Sequence, residues 1–137
     1  MNDSCDIMVV DDELVVGERL KATLERDGHA ITVFVDPVAA MKELESRVFD
    51  IVICDIRMGE VDGIEVLQKA VSHSARTRVI MITGYATLEL ARESLTKGAF
   101  DFIAKPFKLG EIRATISKAV ESWGAEGRPA LAAGQAS

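Results

Sequence analysis

The sequence predicts an α/β fold: a doubly wound, five-stranded parallel sheet with helices on both faces. Three observations lead there. Short apolar runs alternate along the chain with amphipathic stretches of helical period, the signature of repeated strand–helix units. The apolar runs show little polar alternation, as expected of strands covered on both faces. The chain has 137 residues, 48% apolar and 28% charged, enough for one domain with a substantial core.

Residues 6–10, DIMVV, read as the first strand. In ELVVGERLKATLERDG the apolar Leu14, Val15, Leu20 and Leu24 sit among charges, and Asp27–Gly28 ends the helix. AITVF is the second strand. Asp36 before Pro37 is an N-cap followed by proline at the first helical position, opening PVAAMKELESR. FDIVIC is the third strand, RMGEVDG a loop, and IEVLQKAVSH a short helix. RVIMIT is the fourth strand, and TLELARESLTKG a helix closed by Gly98. FDFIA is the fifth strand, and LGEIRATISKAVESW the last helix. The expected strand order is 2-1-3-4-5, a common doubly wound arrangement. The domain is placed over residues 1–122. Residues 123–137, small and aperiodic from Gly124 onward, are expected to form a flexible tail or linker stub.

A net charge of −6 argues against direct nucleic-acid binding and against an anionic membrane surface. No apolar run approaches a membrane span, and MNDSCD lacks the order of a signal peptide. The expected location is the cytoplasm. Cys5 and Cys54 have no CxxC spacing, and Cys54 lies in an apolar run, so buried free thiols are expected. His29 and His73 lack ligand spacing and read as surface or turn residues.

In such a sheet the working site lies beyond the carboxyl ends of the strands, where the strand order reverses. Asp11 and Asp12 follow the first strand, Asp55 the third, Thr83 ends the fourth, and the fifth runs into Lys105 and Pro106. Three converging carboxylates repel one another unless a cation intervenes. An all-oxygen set suits a hard cation such as Mg²⁺. An anionic phosphoryl group would complete its shell, with Lys105 and Thr83 as further partners, and a carboxylate could attack phosphorus. Taken singly, each residue has a plainer reading: the acids as caps or loop residues, Thr83 as a turn residue, Lys105 as a solvated charge, Phe102 as a core aromatic.

The motifs VVDDE, VICDIRM, VIMITGYAT and GAFDFIAKPF, each at a strand end and in this order, resemble the receiver domain of two-component response regulators. The similarity is greatest to receivers of enhancer-binding transcription activators and runs from about Asp6 to Ser122. It implies a flavodoxin-like fold and a phosphorylation switch rather than an enzyme. Asp55 is then the implied phosphoacceptor. Mg²⁺ or Mn²⁺ is held by Asp11, Asp12, Asp55 and the backbone carbonyl of Arg57. Thr83 and Lys105 contact the phosphoryl group, the Lys105–Pro106 bond is cis, and Phe102 is a switch aromatic biased inward. The implied phosphodonor is a histidine kinase or phosphotransfer protein. The implied output is a protein partner or homodimer through the fourth helix, fifth strand and fifth helix, with Arg92, Lys97, Phe102 and Glu111 on that face.

Relatives carry proline where this chain has Gly59, which predicts a looser loop. Arg57 and Tyr85 occupy positions that tune water access, and neither can orient a water as an acid or carboxamide would. A long-lived aspartyl phosphate is therefore expected, although Arg57 could instead pair with Glu60 at the surface. Two other functions remain open. One is a constitutive interaction module. The other is an enzyme of the aspartyl-phosphatase or flavin-carrying type, against which stand Arg57 in place of a second acid and the acidic stretch DDELVVGE in place of a phosphate loop.

Overall fold

The structure, a computed structural model, describes residues 4–132. Its strands are β1 (Asp6–Val10), β2 (Ala30–Phe34), β3 (Ile51–Asp55), β4 (Arg57–Met58), β5 (Val61–Asp62), β6 (Arg78–Thr83) and β7 (Asp101–Ala104). Its helices are α1 (Leu14–Arg26), α2 (Pro37–Leu44), α3 (Gly63–His73), α4 (Leu88–Thr96), α5 (Leu109–Trp123) and α6 (Pro129–Ala132). The main sheet is parallel, in the order β2-β1-β3-β6-β7. With β4 and β5 set aside as a separate hairpin, that is the expected 2-1-3-4-5 arrangement.

Strand periodicity divides the core into two layers. Ile7, Val9, Ile51, Ile53, Ile80 and Ile82 face one way and meet Leu20 and Leu24 of α1 and Ile112, Ile116 and Trp123 of α5. Met8, Val10, Val52, Cys54, Val79 and Met81 face the other way and meet Ala40 and Leu44 of α2 and Ile64, Leu67 and Ala70 of α3. In the three central strands, β1, β3 and β6, nearly every side chain is thus buried, which explains their unbroken apolar runs. Cys5 and Cys54 are both buried, and neither forms a disulfide among the described residues. The Asp36 carboxylate accepts from the Val38 amide at 3.0 Å, capping α2 with Pro37 in its first turn. Helix α4 is held most lightly: its one buried residue is Ser94, while Leu88 and Leu95 are exposed.

Two expectations need correction. The stretch after Asp55 is not a loose loop. Arg57 pairs with Asp62 and Met58 with Val61, leaving Gly59 and Glu60 as a two-residue hairpin turn. Gly59 has φ +61°, the left-handed value such turns demand at their first central position. Glycine here tightens a hairpin that proline could not form.

Nor is the stretch from Trp123 a free tail. Trp123 is buried as the last residue of α5, Gly124–Glu126 form a 3₁₀ turn, and Pro129 and Ala130 are buried. The segment folds back because its Arg128 meets a buried carboxylate, Asp50, at 2.8 Å. Residues 133–137, the remainder of the expected tail, lie outside the described residues.

Candidate functional site

β1 and β3 are neighbours, yet α1 and α3, which follow them, pack on opposite faces. The crevice between the two strand ends is therefore open, and it receives the side chains that follow β1 and β3. Ligand oxygens of Asp11, Asp12 and Asp55 lie within 4.8 Å of one another, with Asp12 exposed and the other two buried. That spread suits a single hard cation bound by a few protein oxygens and completed by water. The fit rests on donor chemistry: the three side chains that converge there all offer carboxylate oxygen.

Lys105 crosses from the end of β7 to close the crevice. Its Nζ donates to Asp11 Oδ2 at 2.8 Å, to Asp55 Oδ2 at 3.2 Å and to the exposed Glu13 Oε1 at 3.3 Å. Burial alone lowers the lysine pKa, but hydrogen bonds and charge from Asp11 and Asp55 outweigh it and raise the value. Burial raises the Asp55 pKa, Lys105 pulls it down and the Asp11 charge pushes it up, for a net rise. The ionised phosphoacceptor candidate thus sits at a net cost even with its lysine in place. The Lys105–Pro106 bond is cis.

Asp11 and Asp12 do not simply cap α1. The N-cap position is Glu13, which makes no side-chain capping bond, and Asp11 Oδ1 accepts the Glu13 amide at 2.9 Å while Oδ2 faces Lys105. Thr83 ends β6 beside β3 and is fully buried, its Oγ1 accepting the Tyr85 amide at 3.0 Å. Phe102 is half-buried and packs with Leu90 against the α2–α3 layer of the core. The Arg57 guanidinium does not pair with Glu60. It lies over the Tyr85 ring, 4.8 Å from its centroid, joining the segments that follow Asp55 and Thr83.

Sequence reasoning missed Gly63. Its amide donates to the Ile56 carbonyl at 2.6 Å, and a Cβ there would collide with the Asp55 carbonyl oxygen and stand 2.7 Å from the Ile56 Cα. Only glycine lets α3 begin against the backbone of Asp55. The capping box of Asp62 and Glu65 that starts this helix was the available signal.

Residues 7–117 match the family model for the response regulator receiver domain. The chain belongs to the response regulator receiver family. Members of that family are phosphorylation-activated switches of two-component signalling. This receiver is 35% identical over 119 residues to the transcriptional regulatory protein ZraR of Escherichia coli K12, covering 87% of this chain and 27% of that protein. The chain thus spans about a quarter of that relative's length. The beryllofluoride-activated NtrC4 receiver domain, solved as a dimer, is similar at 30% identity and a TM-score of 0.80, covering 86% of this chain and 98% of that one. A Burkholderia pseudomallei response regulator, solved with a phosphorylated aspartic acid, calcium ion and citrate, is similar at 26% identity and a TM-score of 0.76, covering 88% and 71%. Among the described residues, no helix of the receiver is long and apolar enough to cross a membrane.

Proposed function

We propose that Asp55 accepts a phosphoryl group from a histidine kinase or phosphotransfer protein, and that the acyl phosphate switches a protein-interaction surface. The observation carrying this reading is the convergence of three carboxylates within 4.8 Å beside the half-buried Lys105. An Asp55 oxygen attacks phosphorus; the O–P bond forms as the P–N bond to the donor histidine breaks, its electron pair leaving on the imidazole nitrogen.

Asp11, Asp12, Asp55 and the Arg57 carbonyl would hold Mg²⁺ or Mn²⁺. When bound, the ion neutralises the carboxylates and the incoming phosphoryl oxygens. Lys105 exchanges its carboxylate partners for the phosphoryl oxygens, and the Thr83 hydroxyl donates to them. Phe102 follows Thr83 inward. Arg57 and Tyr85, stacked over one another, keep water from the acyl phosphate and lengthen its life.

The responding face is α4, β7 and α5, including Arg92, Lys97, Phe102 and Glu111. The light packing of α4 and its exposed Leu88 and Leu95 favour a protein partner or a second copy. The receiver works in the cytoplasm without contacting nucleic acid or membrane. Beyond accepting and slowly losing its own phosphoryl group it is not an enzyme.

The test is mass measurement after incubation with a small phosphodonor and Mg²⁺. The wild-type chain gains one phosphoryl mass and Asp55→Asn gains none. No gain in the wild type would leave a constitutive interaction module.

A further inference from the structure

Asp50 is fully buried and lies outside the phosphorylation crevice, just before β3. Its Oδ2 accepts the Asp6 amide at 2.7 Å and Arg128 Nη1 at 2.8 Å; its Oδ1 accepts the Ala130 amide at 2.8 Å. Two of these three donors come from the segment beyond α5. Arg76 Nη2 donates to the Gly127 carbonyl at 2.7 Å, and Trp123 Nε1 donates to the Arg76 carbonyl at 2.8 Å. Ala130 is fully buried, and Arg128 keeps only 18% of its side chain exposed.

We propose that the base of the sheet is a docking site for the chain's own segment Gly127–Leu131, an Arg-Pro turn recognised by the buried Asp50 carboxylate. The proposal further holds that this docking fixes where the chain leaves the domain. The physical reason is that a buried carboxylate is tolerated only when its oxygens are paired. The sheet itself supplies one donor, the Asp6 amide; the cation and the second amide arrive only with the docked segment. The path also requires two reversals that side chains resist, at Gly124 with φ +58° and Gly127 with φ +74°. Helix α5 therefore stops at Trp123, and the chain turns beneath the amino ends of the strands.

Asp50 and Asp55 bracket β3, about 17 Å apart at a strand's rise per residue. Docking can thus be broken without touching the phosphorylation crevice. Whatever follows residue 132 starts from the opposite end of the sheet to that crevice.

The experiment compares the full chain with Arg128→Ala by hydrogen exchange at the Ala130 amide and by emission of Trp123, the sole tryptophan. Exchange at Val52 checks that the sheet is intact, and beryllofluoride binding with Mg²⁺ is followed in parallel. In the wild type the Ala130 amide is protected. Arg128→Ala lowers that protection about tenfold or more and shifts the tryptophan emission to the red, while beryllofluoride binding stays unchanged. If Arg128→Ala fails to fold, Gly124→Ala, which alters only the turn, carries the same test.

Free-peptide exchange at Ala130 in the wild type would overturn the proposal, as would protection that Arg128→Ala leaves intact. Protection that depends on protein concentration would assign the segment to a second copy and also overturn it. Loss of beryllofluoride binding in the wild type would count against the phosphorylation reading alone.

Discussion

Replacing Lys105 with methionine tests the electrostatics of the crevice directly. Methionine keeps the length of the stem and removes the charge that stands 2.8 Å from Asp11 and 3.2 Å from Asp55. At an effective dielectric near 20 each contact is worth roughly 5–6 kcal/mol in gross attraction, most of it offset by the desolvation of the three groups. Breaking a buried pair costs about 3–5 kcal/mol, because the remaining charge is left uncompensated. The lower figure applies here, since Lys105 retains 16% exposure and Asp12 opens to solvent. A loss of about 3 kcal/mol corresponds to a fall in Tm of roughly 10 °C for a domain of this size.

The raised lysine pKa gives the sign. The stabilisation is complete below the ordinary lysine value and is lost only as pH rises through the raised one, so the deficit is full at neutral pH. Mg²⁺ supplies the missing charge, and saturating Mg²⁺ should shrink the deficit to about 1 kcal/mol or less. Thermal melts followed by circular dichroism, with and without Mg²⁺, measure both numbers. Lys97→Met, at an exposed pair with Glu93, is the control and should cost a few tenths of a kcal/mol, about 0.5 at most. No deficit in Lys105→Met, or one indifferent to Mg²⁺, would refute the view that Lys105 neutralises this crevice.

Three further outcomes follow from particular contacts. Gly63→Ala forces a methyl group into the backbone of Asp55 and Ile56; it should cost about 3 kcal/mol in urea denaturation and slow phosphorylation by a small-molecule donor at least about tenfold. Gly59→Pro cannot hold φ +61°; it should open the β4–β5 hairpin, with faster hydrogen exchange at Val61 and a loss of about 1–2 kcal/mol. Arg57→Asn removes the cation from the Tyr85 ring; dephosphorylation, timed by mass measurement, should quicken about two- to fivefold, the equivalent of one exposed cation–π contact.

The acidic crevice was legible because each of its residues carries a local marker. Asp11, Asp55, Thr83 and Lys105 all sit where an apolar run stops, and in a parallel sheet all such stops lie at one end. Knowing where the strands end was therefore enough to bring the residues together. Gly59 was misread for a related reason. A glycine in a polar stretch says that unusual backbone is tolerated, but whether that means slack or a tight turn depends on what pairs across it, here Met58 with Val61.

Residue order by itself determined the five strands of the main sheet, their order across it and the acids at their carboxyl ends, since period and turn chemistry act over a few neighbours. Tertiary structure alone decided which charge each buried acid meets. Asp50 and Arg128 are 78 residues apart, and nothing near either one marks it as a partner. A buried carboxylate takes whichever donors chain closure brings within reach, so the stretch that read as a loose tail becomes part of the fold.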